Sequence, residues 1–311
     1  MMNVFCKTLL ASALASATLA SAYAAEPLTV YGKLNVTAQS NDEGDESVTT
    51  IQSNASRFGV KGEFELSSSL EAFYTVEYEV DTGDDSKNNF LARNQFVGLK
   101  GDFGALSVGR NDTMLKVSQG KVDQFNDLSG DLKHLFKGEN RLAQTATYMT
   151  PAFGDFKVGV TYAAEGDADQ MSAGSDDGFS IAALYGDAKL KKTPFFASVA
   201  YDSDVKGYDV LRATVQGKVA DLVLGGMYQQ QEKSENGDSK NGFLLSAAYH
   251  MDAVVLKAQY QDMEDKGDSW SVGGDYKLGK PTKLLAFYTN RSIDGESSDD
   301  KYFGVGIEHK F

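Results

Sequence analysis

Cysteine is almost missing from this 311-residue chain. Cys6 is the only one, and it lies in an N-terminal stretch expected to be removed, so the mature chain has no disulfide framework and no thiolate metal site. Proline is scarce at 4 against 31 glycines, a balance that suits many strands in close backbone contact. The three histidines, His134, His250 and His309, show no metal spacing and no Ser–His–acid arrangement for nucleophilic catalysis. Beyond the N-terminus no apolar run approaches the ~18 residues of a transmembrane helix, which excludes a helical membrane protein but leaves a β-barrel open. Positive charge is also short. A net charge of −14 argues against a nucleic-acid partner, which needs clustered Lys and Arg. No residue pattern calls for a cofactor or a metal.

The first residues read as a secretory signal. Lys7 gives a positive start, residues 8–20 are apolar and rich in small side chains, and Ala22-Tyr23-Ala24 fits a small-x-small cleavage site. Residues 1–24 are therefore expected to be a cleaved signal peptide and residues 25–311 the mature domain. The apolar stretch is too short to serve instead as a membrane anchor. Without Lys7 the chain carries 29 basic against 44 acidic residues, a net −15.

The mature chain then alternates. Leu28, Val30, Gly32, Leu34, Val36 and Ala38 share one face, and Tyr31, Lys33, Asn35, Thr37 and Gln39 the other. Phe58, Val60, Phe64 and Leu66 oppose Arg57, Lys61, Glu63 and Glu65 in the next segment; Leu70, Ala72, Tyr74 and Val76 oppose Glu71, Phe73, Thr75 and Glu77 in the third. In the fourth, Arg93, Gln95, Val97 and Leu99 are placed on one side. Long acidic connections alternate with short turns, and the count is about sixteen strands. The first acidic connection is expected directly after Gln39, and residues 187–193 are the least regular of the short turns.

An amphipathic strand must bury its apolar face, either against a second sheet or against lipid. An even strand count, alternating long and short connections and charges on the polar faces (Lys33, Arg57, Lys61, Glu71, Glu77, Arg93, Arg212, Lys257) favour a transmembrane antiparallel β-barrel around a water-filled lumen. Tyr78, Tyr162, Tyr185, Tyr228, Tyr249, Tyr260 and Tyr276 end apolar faces, as interfacial girdles do. Residues 110–141 break the alternation. They carry Asp123, Asp127 and Asp131 at four-residue spacing among Leu128, Leu132, Leu135 and Phe136, which reads as partly helical. So long a connection is uncommon in a compact domain. It is expected to fold into the barrel and narrow it.

The last strand alternates Phe303, Val305, Ile307, His309 and Phe311, and ends the chain on phenylalanine, which resembles the assembly signal of bacterial outer-membrane barrels. Further words run in order: Val30-Tyr31-Gly32-Lys33, Ser56-Arg57-Phe58-Gly59-Val60-Lys61-Gly62, Val97-Gly98-Leu99-Lys100-Gly101, residues 102–110, then Ala146-Thr147-Tyr148 with Pro151-Ala152-Phe153. Over nearly all its mature length the chain resembles the general porins of Gram-negative outer membranes. The resemblance implies a sixteen-stranded barrel and a homotrimer among outer-membrane lipid and lipopolysaccharide. It also implies passive diffusion of small hydrophilic solutes and ions, and a third loop folded inward as a constriction. By position Lys33, Arg57 and Arg93 match the family's basic wall, while Asp127 and Asp131 sit where its loop acids are expected. The Pro-Glu-Phe-Gly-Gly word of the enterobacterial members is missing from the loop. Residues 81–89 resemble the inter-subunit latch.

The combined expectation is a wall of Lys33, Arg57 and Arg93, joined by Lys61 and Arg141, faced by Asp123, Asp127 and Asp131. The acidic long connections predict a weak preference for cations. The alternatives are a substrate-selective channel for a sugar or anion, an outer-membrane barrel enzyme, a plugged structural barrel and loop carboxylates that hold Ca²⁺. A sugar channel would need a lane of inward aromatics, for which Tyr31, Phe73 and Phe287 are few and scattered.

Overall fold

Period-two patterning dictates strands with two chemically different faces, and the chain resolves this by closing a single sheet on itself. In the computed structural model, residues 28–44, 46–83, 89–164, 178–235 and 237–311 are described. The expected signal peptide and its cleavage site, most of the latch and the acidic connection 165–177 lie outside them. The strands are β1 (Thr29–Glu43), β2 (Glu46–Ser53), β3 (Arg57–Ser67), β4 (Leu70–Val80), β5 (Phe90–Gly101), β6 (Gly104–Asp112), β7 (Arg141–Met149), β8 (Phe156–Ala163) and β9 (Gly178–Gly186). They continue as β10 (Phe195–Ser203), β11 (Tyr208–Val219), β12 (Leu222–Lys233), β13 (Lys240–Met251), β14 (Val254–Met263), β15 (Gly267–Lys277), β16 (Thr282–Ile293) and β17 (Asp300–Lys310).

From β3 onward each strand pairs antiparallel with the next, and β17 returns to β1 with Lys33 opposite Lys310 and Asp42 opposite Lys301. Phe311 ties the seam, exchanging backbone hydrogen bonds of 3.0 and 3.2 Å with Gly32. β2 and β3 both pair with β1, meeting its upper and lower halves in turn, so they form one interrupted stave and the barrel has sixteen. The expected acidic connection after Gln39 is thus a correction. β1 runs on to Glu43, and the β-branched, alternating stretch Val48-Thr49-Thr50-Ile51 hydrogen-bonds back to it before the break at residues 54–56.

The burial pattern inverts that of a soluble protein. Leu34, Val97, Leu245, Val305 and Ile307 are exposed on the outer face, while Thr37, Gln39, Gln229, Gln261 and Thr289 are buried on the inner one. An exposed apolar belt around a closed sheet is the surface of a lipid-embedded barrel. Of the expected girdle, Tyr162, Tyr185, Tyr228, Tyr249, Tyr260 and Tyr276 are exposed, and Tyr78 instead packs edge-on against Phe90.

Strand parity fails at one informative place. A bulge shifts the β4–β5 register between the pairs Val76–Gln95 and Tyr78–Ala92. One extra residue reverses the faces. Arg93 is therefore buried on the inner face while Val97 and Leu99 point outward, against the expectation that all three share a side.

Candidate functional site

The connection between β6 and β7 is the site's frame. Its ladder closes at Asp112 opposite Arg141. A one-turn helix, α1 (Met114–Ser118), follows, capped by Thr113, whose Oγ1 accepts the Lys116 N–H. A 3-10 turn spans Leu132–His134. The stretch between them is irregular.

Its apolar side chains bury themselves on inner-face residues of the wall. Val122, Leu132, Leu135 and Phe136 pack with Met227, Leu244 and Met263; Met114 and Leu115 pack with Ala182, Ala200 and Val210; Phe125 and Leu128 pack with Leu285, Phe287 and Tyr302. Those platforms belong to β9–β14, β16 and β17. Wall amides and hydroxyls take up the irregular backbone, as buried polar groups require. Gln259 Oε1 accepts the Gln124 N–H at 2.8 Å, Gln259 Nε2 donates to the Gly130 carbonyl at 3.0 Å, Gln231 Oε1 accepts the Lys137 N–H at 2.9 Å, and Ser198 donates to the Ser118 carbonyl at 2.6 Å. Arg212 is completely buried. It donates to Gln229 and Glu139, each at 2.7 Å, and to the Lys137 carbonyl at 3.1 Å. Gly138, at φ 96°, lies where a Cβ would meet Leu115, so glycine lets the chain pass beside Arg212.

The predicted acids separate into two roles. Asp127 alone reaches the basic wall. Its Oδ2 lies 2.7 Å from Lys33 Nζ on β1 and 2.6 Å from the Arg57 guanidinium on β3. Burial raises the carboxyl's pKa, but the two cations outweigh it and hold the group below the usual carboxylate range. Asp127 sits at φ 69°, and its N–H donates to Asp131 Oδ2 at 2.8 Å. Asp131 is occupied with that amide and the Lys133 N–H. Asp123 accepts from the Phe125 and Leu132 N–H groups at 2.9 and 3.0 Å. Burial and the nearby Asp131 carboxylate raise its pKa. Asp123 and Asp131 therefore shape the connection and do not pair with the basic wall, contrary to expectation. Their four-residue spacing would share a face on a helix or a strand, and residues 123–131 form neither.

The predicted bases also divide. Arg57 is aimed by the stave break, with its Nε donating to the Ala55 carbonyl at 3.0 Å. Arg93 binds its own wall, Glu77 at 2.7 Å and Glu79 at 2.9 Å, and Tyr31 donates to the other Glu77 oxygen. Arg141 pairs with Asp112 at 2.9 Å at the base of the connection. Lys61 lies 5.5 Å from the centre of the Tyr31 ring and has no ion pair among the described residues. A cavity of about 520 Å³ on the long-connection side borders Asp127 and is also lined by Glu43, Lys133, Arg291 and Tyr302. A second, of about 890 Å³, lies by the turn between β3 and β4 and is lined by Lys61, Glu71, Phe73 and Lys100.

A closed barrel with an apolar outside, a polar inside and a docked inner segment is an architecture with known relatives. The family model described as Gram-negative porin matches residues 10–305. The chain belongs to the Gram-negative porin family. The porin is 25% identical over 350 residues to the major outer membrane protein P.IB of Neisseria meningitidis serogroup B, covering 98% of this chain and 99% of that one. It is 24% identical over 302 residues to a monosaccharide porin of Halomonas, covering 85% and 81%. Among solved structures it shares the fold of Salmonella typhi OmpF in complex with daunomycin (TM-score 0.77, 18% identity, 92% of this chain and 98% of that one). It also shares that of an anion-selective porin from Comamonas acidovorans (TM-score 0.70, 19% identity, 92% and 100%). The porin is an outer-membrane protein, and porins are channels. Sequence reasoning missed the docking platform of Arg212, Glu139 and the wall glutamines. Its available signal was apolar residues, Met227, Leu244, Met263 and Phe287, at positions whose parity called for polar ones.

Proposed function

We propose that this porin is a general channel for passive diffusion of small hydrophilic solutes and ions. In this reading residues 110–141 narrow the lumen where Asp127 meets Lys33 and Arg57. The observation that carries it is this three-residue contact. It joins the inserted segment to β1 and β3 and sets fixed charges of both signs against each other, with a cavity beside Asp127. Opposed charges give a transverse field in which a polar solute aligns its dipole, whereas an apolar solute must displace ordered water. A weak preference for cations follows from the acids of the long-connection end, among them Glu43, Glu46, Asp81, Asp265, Asp294 and Asp299, which raise the local concentration of counter-ions.

Single-channel conductance and reversal potential in a planar bilayer test this reading. Ohmic, weakly cation-preferring channels support it; a strong anion preference or no conductance overturns it. A second reading, a sugar-selective channel, is favoured by the cavity beside Tyr302 and by the Halomonas relative. Liposome swelling with sugars of graded size separates the two, since only a selective channel discriminates between sugars of one size. A barrel enzyme predicts hydrolysis of phospholipid or peptide by the pure protein. The functional unit is proposed to be a homotrimer in lipopolysaccharide-containing membrane, packed through outer faces with small residues such as Ala146 and Ala183. A single-subunit species on crosslinking and unheated gels would count against it.

A further inference from the structure

The Asp127 contact is one end of a longer array. Lys33, which binds Asp127 at 2.7 Å, also lies 3.8 Å from Glu308 of β17. Glu308 pairs with Lys310 at 3.0 Å and, at 3.7 Å, with Lys283, its register partner on β16. Lys283 reaches on to Asp275 of β15 at 2.9 Å, and the other Asp275 oxygen lies 3.0 Å from Lys257 of β14. The Lys257 ammonium in turn sits 5.2 Å from the centre of the Phe125 ring on the inserted segment. The contacts thus leave the segment at Asp127, follow the wall from β1 to β14 and return to the segment at Phe125.

These side chains share the inner face, because Asn35, Val255, Ser271, Leu285 and Tyr302, an even number of places away on the same strands, are buried there. Lys257 and Lys283 come early in β14 and β16, and Asp275 and Glu308 late in β15 and β17, so the ribbon lies toward the short-turn end. Cations outnumber acids in it. Asp275, Glu308 and Asp127 are shared among Lys257, Lys283, Lys310, Lys33 and Arg57, which leaves a positive surplus. Lys257 and Lys283 keep 10% and 26% of their side-chain surface exposed, so each is pinned by an acid and still meets the lumen. On β3–β5 the same end carries Glu63, Glu65 and Glu71 with Lys61 and Lys100, an acidic surplus. The basic surplus therefore belongs to the β14–β1 sector.

We propose that Lys257 and Lys283 are specificity-determining residues of this porin, held in place by Asp275 and Glu308, and that they raise the local concentration of small anions on the short-turn side of the Asp127 contact. The proposal rests on the channel reading above. Fixed charge beside a water path enriches the opposite ion. The acids of the long-connection end favour cations, so the ribbon works against them from the other end of the pore and the net preference is weak. Salt screens such charges, and the ribbon acts most strongly when the solution at its own mouth is dilute.

The test is reversal potential in a KCl gradient, measured in both directions across channels inserted from one side of the bilayer. Lys257→Gln/Lys283→Gln should raise the cation permeability ratio several-fold, and by more in one direction of the gradient than in the other. Lys257→Arg/Lys283→Arg, which restores the charge, should recover the wild-type ratio. Asp275→Asn, which keeps every lysine, should move the ratio toward anions. A glutamine pair with wild-type selectivity overturns the proposal, as does a shift equal in both directions. An arginine pair that shifts like the glutamine pair shows a structural role and overturns it too. Should the glutamine pair fail to fold, Asp275→Asn decides: a ratio unchanged or moved toward cations overturns the assignment. Wild-type protein with no KCl conductance overturns the channel reading itself, an outcome distinct from conducting channels whose variants do not shift.

Discussion

Asp127 and Arg57 are 70 positions apart and meet at 2.6 Å, the inserted segment touching the wall of the third strand. Lys33 completes the contact from the neighbouring first strand. Because one carboxylate answers two cations, the acid is the member whose loss changes the local charge most.

Asp127→Asn should shift selectivity toward anions. A charge uncovered in a wet channel is worth about 1 kcal/mol at 4 Å in water, or roughly a fivefold change in local ion ratio. Reversal potential in a KCl gradient checks this, and the shift should shrink in about 1 M salt as screening lengths fall to roughly 3 Å.

Arg57→Ser should move selectivity the other way, since it leaves Asp127 with Lys33 alone. Arg93→Ser should do the same by a different route, uncovering Glu77 and Glu79 on the wall. Both variants should raise the cation permeability ratio by about the same factor as the Asp127 change lowers it. Of the two, Arg57→Ser alone should also add current noise, because Arg57 contacts the inserted segment whereas Arg93 pairs with its own wall.

Asp123→Asn and Asp131→Ala should act on order and not on charge selectivity. Each removes acceptors for backbone N–H groups within the segment, a loss of about 1–3 kcal/mol where the donors stay buried. Noisier single channels and faster proteolysis within residues 113–140, with reversal potential changed less than in Asp127→Asn, are the expected result.

Arg212→Met should loosen the segment's rear attachment. Removing one partner of a buried pair costs about 3–5 kcal/mol because the other charge, here Glu139, is left uncompensated. Arg212→Met/Glu139→Gln should recover much of that loss. Thermal unfolding in detergent and channel noise report the two states.

The Asp127 contact should withstand mild acid. The depressed pKa of Asp127 means that its stabilising pairing is complete above the ordinary carboxylate pKa of about 3.9 and fails only as pH falls through the lower folded value. The difference in selectivity between wild type and Asp127→Asn should therefore persist as pH is lowered to about 4. Paired reversal-potential titrations test it.

Much of this was legible in the sequence because a strand's side chains have a fixed period. Lys33, Arg57 and Arg212 were placed on the inner face by parity alone, and the loss of alternation located the insertion at residues 110–141. Parity breaks where the backbone adds a residue without announcing it. The bulge beside Glu77 turned Arg93 inward while Val97 and Leu99 faced lipid. Asp123 and Asp131 were expected beside Asp127 on the basic wall and are not there, because spacing has meaning only within a regular element. Asp127 points at the wall through a left-handed backbone angle that no four-residue rule contains. The strands also outran their predicted ends, since backbone pairing continues through polar residues once the apolar face has stopped. β2 is the clearest case.

The ladder between β6 and β7 closes at Asp112 and Arg141, and nothing from 113 to 140 belongs to a strand. The inserted segment is thus a parenthesis in the barrel's grammar. The wall's hydrogen-bonded circuit is complete without it, while the segment depends on the wall for every platform it rests on. Dependence in one direction separates durability from selectivity. Substitutions within 113–140 can retune what passes through while the membrane-spanning shell stays intact, whereas a wall substitution at Met227 or Gln259 alters the inserted segment through its support.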